Sequence, residues 1–152
     1  MTKQYEQLTE HLAAIVDAEW PMMSNLSNAA AVLYNGMDRI NWAGFYLEQE
    51  GVLWLGPFQG KPACVQIGEG KGVCGTALQQ RRVLRVEDVH QFPGHIACDS
   101  ASRSEIVLPL YRGEALIGVL DIDSPETGRF TKEDEEGLLE VTEILRKVLQ
   151  NI

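Results

Sequence analysis

The chain has 152 residues, 45% of them hydrophobic, enough to bury one core and too few for two ordinary domains, so a single domain over residues 1–152 is expected. Its 13 basic and 22 acidic side chains give a formal net charge of -9, which repels nucleic-acid phosphates and anionic lipid surfaces, so neither nucleic acid nor membrane is an expected partner. Glu6, Glu10, His11 and Asp17 interrupt the apolar positions near the N-terminus, leaving no signal-peptide core and no membrane span, and a cytoplasmic location is the expectation.

Leu8, Leu12, Ile15 and Val16 recur at helical spacing in a pattern that stops at Pro21, which predicts an amphipathic first helix. A second helix is expected from Ser24, read as its N-cap, to Gly36. The period then changes. Ile40–Leu47 and Val52–Leu55 are aromatic and β-branched and flank the polar turn Glu48-Gln49-Glu50-Gly51, the pattern of an antiparallel hairpin. A strand over Ala63–Ile67, a glycine-rich turn at 68–72, a short helix from Val73 to about Gln80 and a strand over Val83–Val86 follow. Residues 87–104 carry no apolar period, and a loop of that length in a compact domain usually serves a function. Beyond it, Ile106–Tyr111 and Ala115–Ile122 form the clearest hairpin. Thr131 and Asp134 then resemble a capping box opening a helix whose face is Leu138, Leu139, Thr142, Leu145 and Val148. This order indicates an α+β layered domain with an antiparallel sheet.

Cys64, Cys74 and Cys98 make an odd count. In a reducing compartment they read as free thiols, ligands or redox groups rather than permanent staples, although a lone thiol also packs as a small apolar residue. Gly70-Lys71-Gly72-Val73-Cys74-Gly75 fits a dinucleotide fingerprint, but the hairpin and long loop around it are not repeated βαβ units, and the same glycines serve a tight turn. His90, His95, Cys98 and Asp99 are zinc-ligand types at a spacing that is not a recurrent zinc pattern, so no metal is expected. Strand alternation puts Asp121 and Asp123 on one face. With Glu105 they read either as solvated strand ends or as converging carboxylates with raised pKa, and the sequence leaves both readings open.

Phe92-Pro-Gly-His-Ile-Ala-Cys98-Asp-Ser-Ala-Ser102, Ser104-Glu-Ile-Val-Leu-Pro109 and Gly118-Val-Leu-Asp121-Ile-Asp123-Ser124, together with INWAGFYL at 40–47 and the cysteine spacing, closely resemble the free methionine-(R)-sulfoxide reductases, which are GAF-domain proteins. The resemblance covers nearly the whole chain. It implies a GAF-like α+β fold, a central antiparallel sheet with N- and C-terminal helices packed on one face. It also implies an enzyme that reduces free methionine sulfoxide through a cysteine sulfenic acid and an intramolecular disulfide recycled by thioredoxin, with no metal or organic cofactor, and assembly as a homodimer. Carried over by position, Cys98 is the nucleophile, Cys64 the principal resolving thiol and Cys74 an auxiliary one. Trp42, Tyr46, Glu105, Asp121 and Asp123 form the substrate pocket, with Glu105 and Asp123 as candidate acids. The competing expectation is a non-enzymatic GAF sensor that binds a small ligand such as a nucleotide in the same pocket.

Overall fold

The computed structural model describes residues 1–95 and 101–150. In chain order it contains α1 (Lys3–Ile15), α2 (Met22–Gly36), β1 (Trp42–Gln49), β2 (Val52–Gly60), β3 (Gln66–Gly68), α3 (Gly72–Gln80), β4 (Leu84–Val86), β5 (Ser104–Arg112), β6 (Ala115–Ser124) and α4 (Lys132–Val148), with a 3-10 turn at Val89–Gln91. The described strands form one sheet in the order β3-β2-β1-β6-β5-β4, and each neighbouring pair is antiparallel.

Alternation along the three central strands divides the sheet into two functions. One face carries Ala43 and Phe45 of β1, Ile106, Leu108 and Leu110 of β5, and Leu120 and Ile122 of β6, packed against Leu8 and Leu12 of α1, Leu26 and Leu33 of α2, and Leu138, Val141 and Leu145 of α4. This is the expected α+β layering, with the terminal helices on one face. The opposite face carries Trp42, Tyr46, Val107 and Val119, which pack with Val73, Cys74, Ala77 and Leu78 of α3.

At the start of α4 the capping box is formed, Thr131 and Asp134 exchanging side-chain-to-backbone bonds. Asp134 also accepts from the Tyr5 hydroxyl at 2.6 Å and from Arg129 Nη1 at 3.0 Å. Burial pushes the Asp134 carboxyl up, but the bonds from Tyr5 and Thr131 and the Arg129 charge outweigh it and hold the group below the usual carboxylate range. One buried carboxylate therefore caps α4 and ties it to α1.

Several boundaries differ from the sequence expectation. α1 ends at Ile15, well before Pro21. α2 begins at Met22 with Pro21 at the cap, and Ser24 lies in its first turn, donating its backbone N–H to the Pro21 carbonyl at 3.0 Å. β2 continues past Leu55 to Gly60 because Gly56 and Pro57 fall in a register shift, where Pro57 needs no ladder donor. β3 covers Gln66–Gly68 rather than Ala63–Ile67, so Cys64 precedes the strand. Leu139 is 44% exposed, and the buried stripe of α4 is Leu138, Val141, Thr142 and Leu145.

α4 approaches α1 closely at Gly137, where an added Cβ would collide with the Tyr5 ring. Gly137→Ala gains about 1 kcal/mol of helix propensity, yet overpacking of this kind costs about 1–3 kcal/mol. The substitution is expected to lower the urea midpoint. A raised midpoint would contradict the close α1–α4 contact.

Candidate active site

The sheet register brings the acidic side chains together. Glu105 on β5 is directly opposite Asp123 on β6, and Val107 is opposite Asp121. On the other side of β6, Asp123 pairs with Trp42 and Asp121 with Gly44 of β1. Since cross-strand partners share a face, Glu105, Asp121, Asp123, Trp42 and Tyr46 all point away from the terminal helices. They line one cleft with about 550 Å³ of space, including its open mouth, closed by Val73 and Cys74 of α3, Pro62 and Ala63, and also by His95 and Ser102.

The carboxylates converge inside the protein rather than standing solvated at a strand end, with Glu105 only 8% and Asp121 5% exposed. Among the described residues, Asp121 Oδ1 and Asp123 Oδ1 are buried without a hydrogen-bond partner, while Ser102 Oγ donates to Asp123 Oδ2 at 3.3 Å. Burial first, then the charges of Asp123 and Glu105, push the Asp121 carboxyl well above the usual range. Burial and the Glu105 charge do the same for Asp123. The cluster therefore retains a proton at pH values where exposed carboxyls have lost theirs.

Trp42 stacks on Phe58 with ring centroids 5.2 Å apart and on Tyr46 at 5.9 Å. Gly44 lies between Trp42 and Tyr46 on this face, and a Cβ there would collide with Phe58, so the aromatic wall requires glycine. The two rings also hold the segment before β3. Trp42 Nε1 donates to the Lys61 carbonyl at 3.1 Å, and the Tyr46 hydroxyl donates to the Cys64 carbonyl at 2.9 Å.

The cysteines occupy distinct settings. Cys64 is half-buried, packs beside the cleft face and is disulfide-bonded. Cys74 is a free, buried thiol 3.8 Å from Glu105 Oε2. Burial, then Asp121, Glu105 and Asp123, push that thiol well above its ordinary pKa, which suppresses the nucleophilic thiolate. Cys98 and Asp99 lie outside the described residues. His90 and His95 meet edge to face with centroids 6.2 Å apart. The glycines of the dinucleotide-like motif serve the turn into α3, where Gly70 N donates to the Gly75 carbonyl, and a Cβ on Gly75 would collide with the Gly68 carbonyl.

Sequence reasoning gave Ser102 and Phe58 no role. Ser102 sits in an aperiodic loop that carries no orientational signal, and Phe58 follows the Gly56-Pro57 pair that reads as a strand end.

With this geometry in place, comparison with known proteins is specific. The GAF domain family matches residues 3–149. The free methionine-R-sulfoxide reductase of Escherichia coli (strain K12) is 54% identical over 97% of this chain and 90% of its own length. The solved structure of fRMsr of Staphylococcus aureus in complex with substrate superposes with a TM-score of 0.91 at 51% identity, covering 95% of each chain. That of free methionine-R-sulfoxide reductase from Neisseria meningitidis in complex with its substrate gives 0.92 at 40% identity, over 99% of this chain and 92% of that one. The chain belongs to the GAF-domain family and, within it, to the free methionine-R-sulfoxide reductases.

The crowded carboxylates carry a stability cost with a definite sign. A carboxyl whose folded pKa is raised binds its proton more tightly in the folded state, so stability is greatest below the unfolded value of about 4 and falls as pH rises through the folded value. Asp121→Asn keeps the shape and removes the charge. It is expected to raise stability at pH 7 and to flatten the pH dependence. Urea denaturation of both proteins at pH 5 and pH 8 checks this, and a variant less stable than wild type at pH 8 would contradict it.

Proposed function

We propose that the protein reduces free L-methionine (R)-sulfoxide to methionine, with Cys98 as nucleophile. The observation that carries this reading is the convergence of Glu105, Asp121 and Asp123 beneath the Trp42–Tyr46 wall, beside the segment that bears Cys64. The Oδ1 atoms of Asp121 and Asp123, unpartnered among the described residues, suit the ammonium of a free amino acid, which supplies charge-assisted bonds to them. The apolar face of Trp42 suits the methylsulfinyl end. The relatives' substrate complexes support the same occupant.

The chemistry requires a thiolate and an acid together. Cys98 attacks the sulfoxide sulfur while a carboxyl of the Glu105–Asp121–Asp123 cluster protonates the sulfoxide oxygen. That oxygen is transferred to Cys98, which becomes sulfenic acid as methionine leaves. Cys64 then condenses with the sulfenic acid, expelling water and forming a disulfide. An external dithiol, thioredoxin, reduces that disulfide by thiol exchange. Neither a metal nor an organic cofactor enters this sequence. The disulfide at Cys64 and the buried, high-pKa thiol at Cys74 support Cys64 as the main resolving residue and leave Cys74 an auxiliary one.

Cys98→Ser is expected to fold and to lose sulfoxide reduction, because an alcohol lacks the accessible anion. Cys64→Ser is expected to release methionine in a single turnover but to slow markedly when thioredoxin is the sole reductant. Undiminished turnover by Cys98→Ser removes the proposed nucleophile, and equal thioredoxin-coupled rates for wild type and Cys64→Ser remove the proposed resolving role.

A cleft whose carboxylates pair with the ammonium leaves those groups unmatched when the ammonium becomes a peptide amide. Activity on methionine sulfoxide within a peptide is therefore expected to fall far below that on the free amino acid. Comparable kcat/KM values for the two would contradict recognition of the free amino acid.

A further inference from the structure

Cys74 reaches the floor of the cleft from α3, while Glu105 and Asp121 reach it from β5 and β6. Its sulfur, one oxygen of Glu105 and one of Asp121 all lie within 4.8 Å of one another, and all three residues are buried. Metal–ligand bonds of about 2.0–2.3 Å in a tetrahedral site put neighbouring donor atoms roughly 3.3–3.8 Å apart. The Cys74 Sγ to Glu105 Oε2 distance of 3.8 Å already has that span. A second, independent observation points to a ligand, since Asp121, 5% exposed, lines the cleft with its Oδ1 unpartnered among the described residues.

We propose that Cys74, Glu105 and Asp121 form a binding site for a borderline-soft divalent cation of the zinc class. The donor set selects among metals. Mg²⁺ demands octahedral oxygen coordination and Ca²⁺ takes six to eight oxygens, whereas three protein donors including a sulfur suit four-coordinate Zn²⁺ with one position left to water or to Asp123. A dication also relieves the repulsion among carboxylates that the register forces together. The cation is a competing ligand rather than a cofactor. Glu105 and Asp121 are the groups assigned above to the substrate ammonium, so a metal-loaded cleft excludes the amino acid. That consequence rests on the proposed function, while the metal site rests on the donor geometry alone.

The test uses the full chain carrying Cys64→Ser and Cys98→Ser, reduced, so that Cys74 is its sole thiol, with Co²⁺ as the probe. The expected result is a saturable thiolate-to-cobalt charge-transfer band that Zn²⁺ displaces and Mg²⁺ does not. Adding Cys74→Ser is expected to abolish the band. Glu105→Gln, which leaves the thiol in place, is expected to weaken Co²⁺ at least about tenfold, since loss of even an outer-shell partner costs about 10- to 100-fold in metal affinity. Far-UV circular dichroism confirms that each variant is folded. Absence of a thiolate band, or a Co²⁺ affinity unchanged by Glu105→Gln in a folded protein, would overturn the site. If the band appears but saturating methionine leaves the Co²⁺ affinity unchanged, the metal site stands and the substrate placement fails instead.

Discussion

Antiparallel pairing of β5 with β6 forces Glu105 against Asp123 and sets Asp121 one pair further along the same face. Like charges at this spacing, buried under α3 and walled by Trp42, cannot all ionise freely. The fold therefore stores an electrostatic demand in its sheet, and a proton or an incoming cationic group satisfies it. A preference for positive charge and a carboxyl that holds its proton thus arise from one arrangement, with the register as its cause.

Such an arrangement needs support from elsewhere in the molecule. The helix-covered face provides it, with aliphatic and aromatic side chains from α1, α2 and α4 packed against the reverse of the same strands. The Tyr5–Asp134–Arg129 cluster offers an instructive contrast. Its carboxylate is also buried, but it receives a hydroxyl, a guanidinium and a helix cap, and its pKa falls. The cleft carboxylates have fewer donors, and two of them rise. The difference lies in the partners supplied. A protein that carried such partners in the cleft would gain stability and lose the demand that draws in a ligand.

Much of this was legible in the sequence. Alternation alone placed Asp121 and Asp123 on one face, and the Thr131–Asp134 spacing announced the cap of α4. Whether Glu105 joined the pair depended on strand register, a non-local property that composition and periodicity do not carry. Phe58 escaped because Gly56-Pro57 reads locally as a stop, while the register shift that tolerates proline is a tertiary feature. The segment around Cys64 read as a strand on its β propensity, yet Trp42 and Tyr46 hold its carbonyls with side-chain donors instead. Helical spacing puts Leu139 on the apolar face with Leu138, Thr142, Leu145 and Val148, yet it lies at the margin of the stripe that α4 buries and is exposed.

The register holds at least one cleft carboxyl well above the ordinary carboxylate range. Carbon-13 NMR of protein labelled at the Asp and Glu side-chain carboxyls, assigned through Asp121→Asn and Asp123→Asn and titrated without ligand, measures this directly. At least one of Asp121 and Asp123 is expected to titrate well above the ordinary carboxylate range. Titration of both within the ordinary carboxylate range, near pH 4, would contradict it.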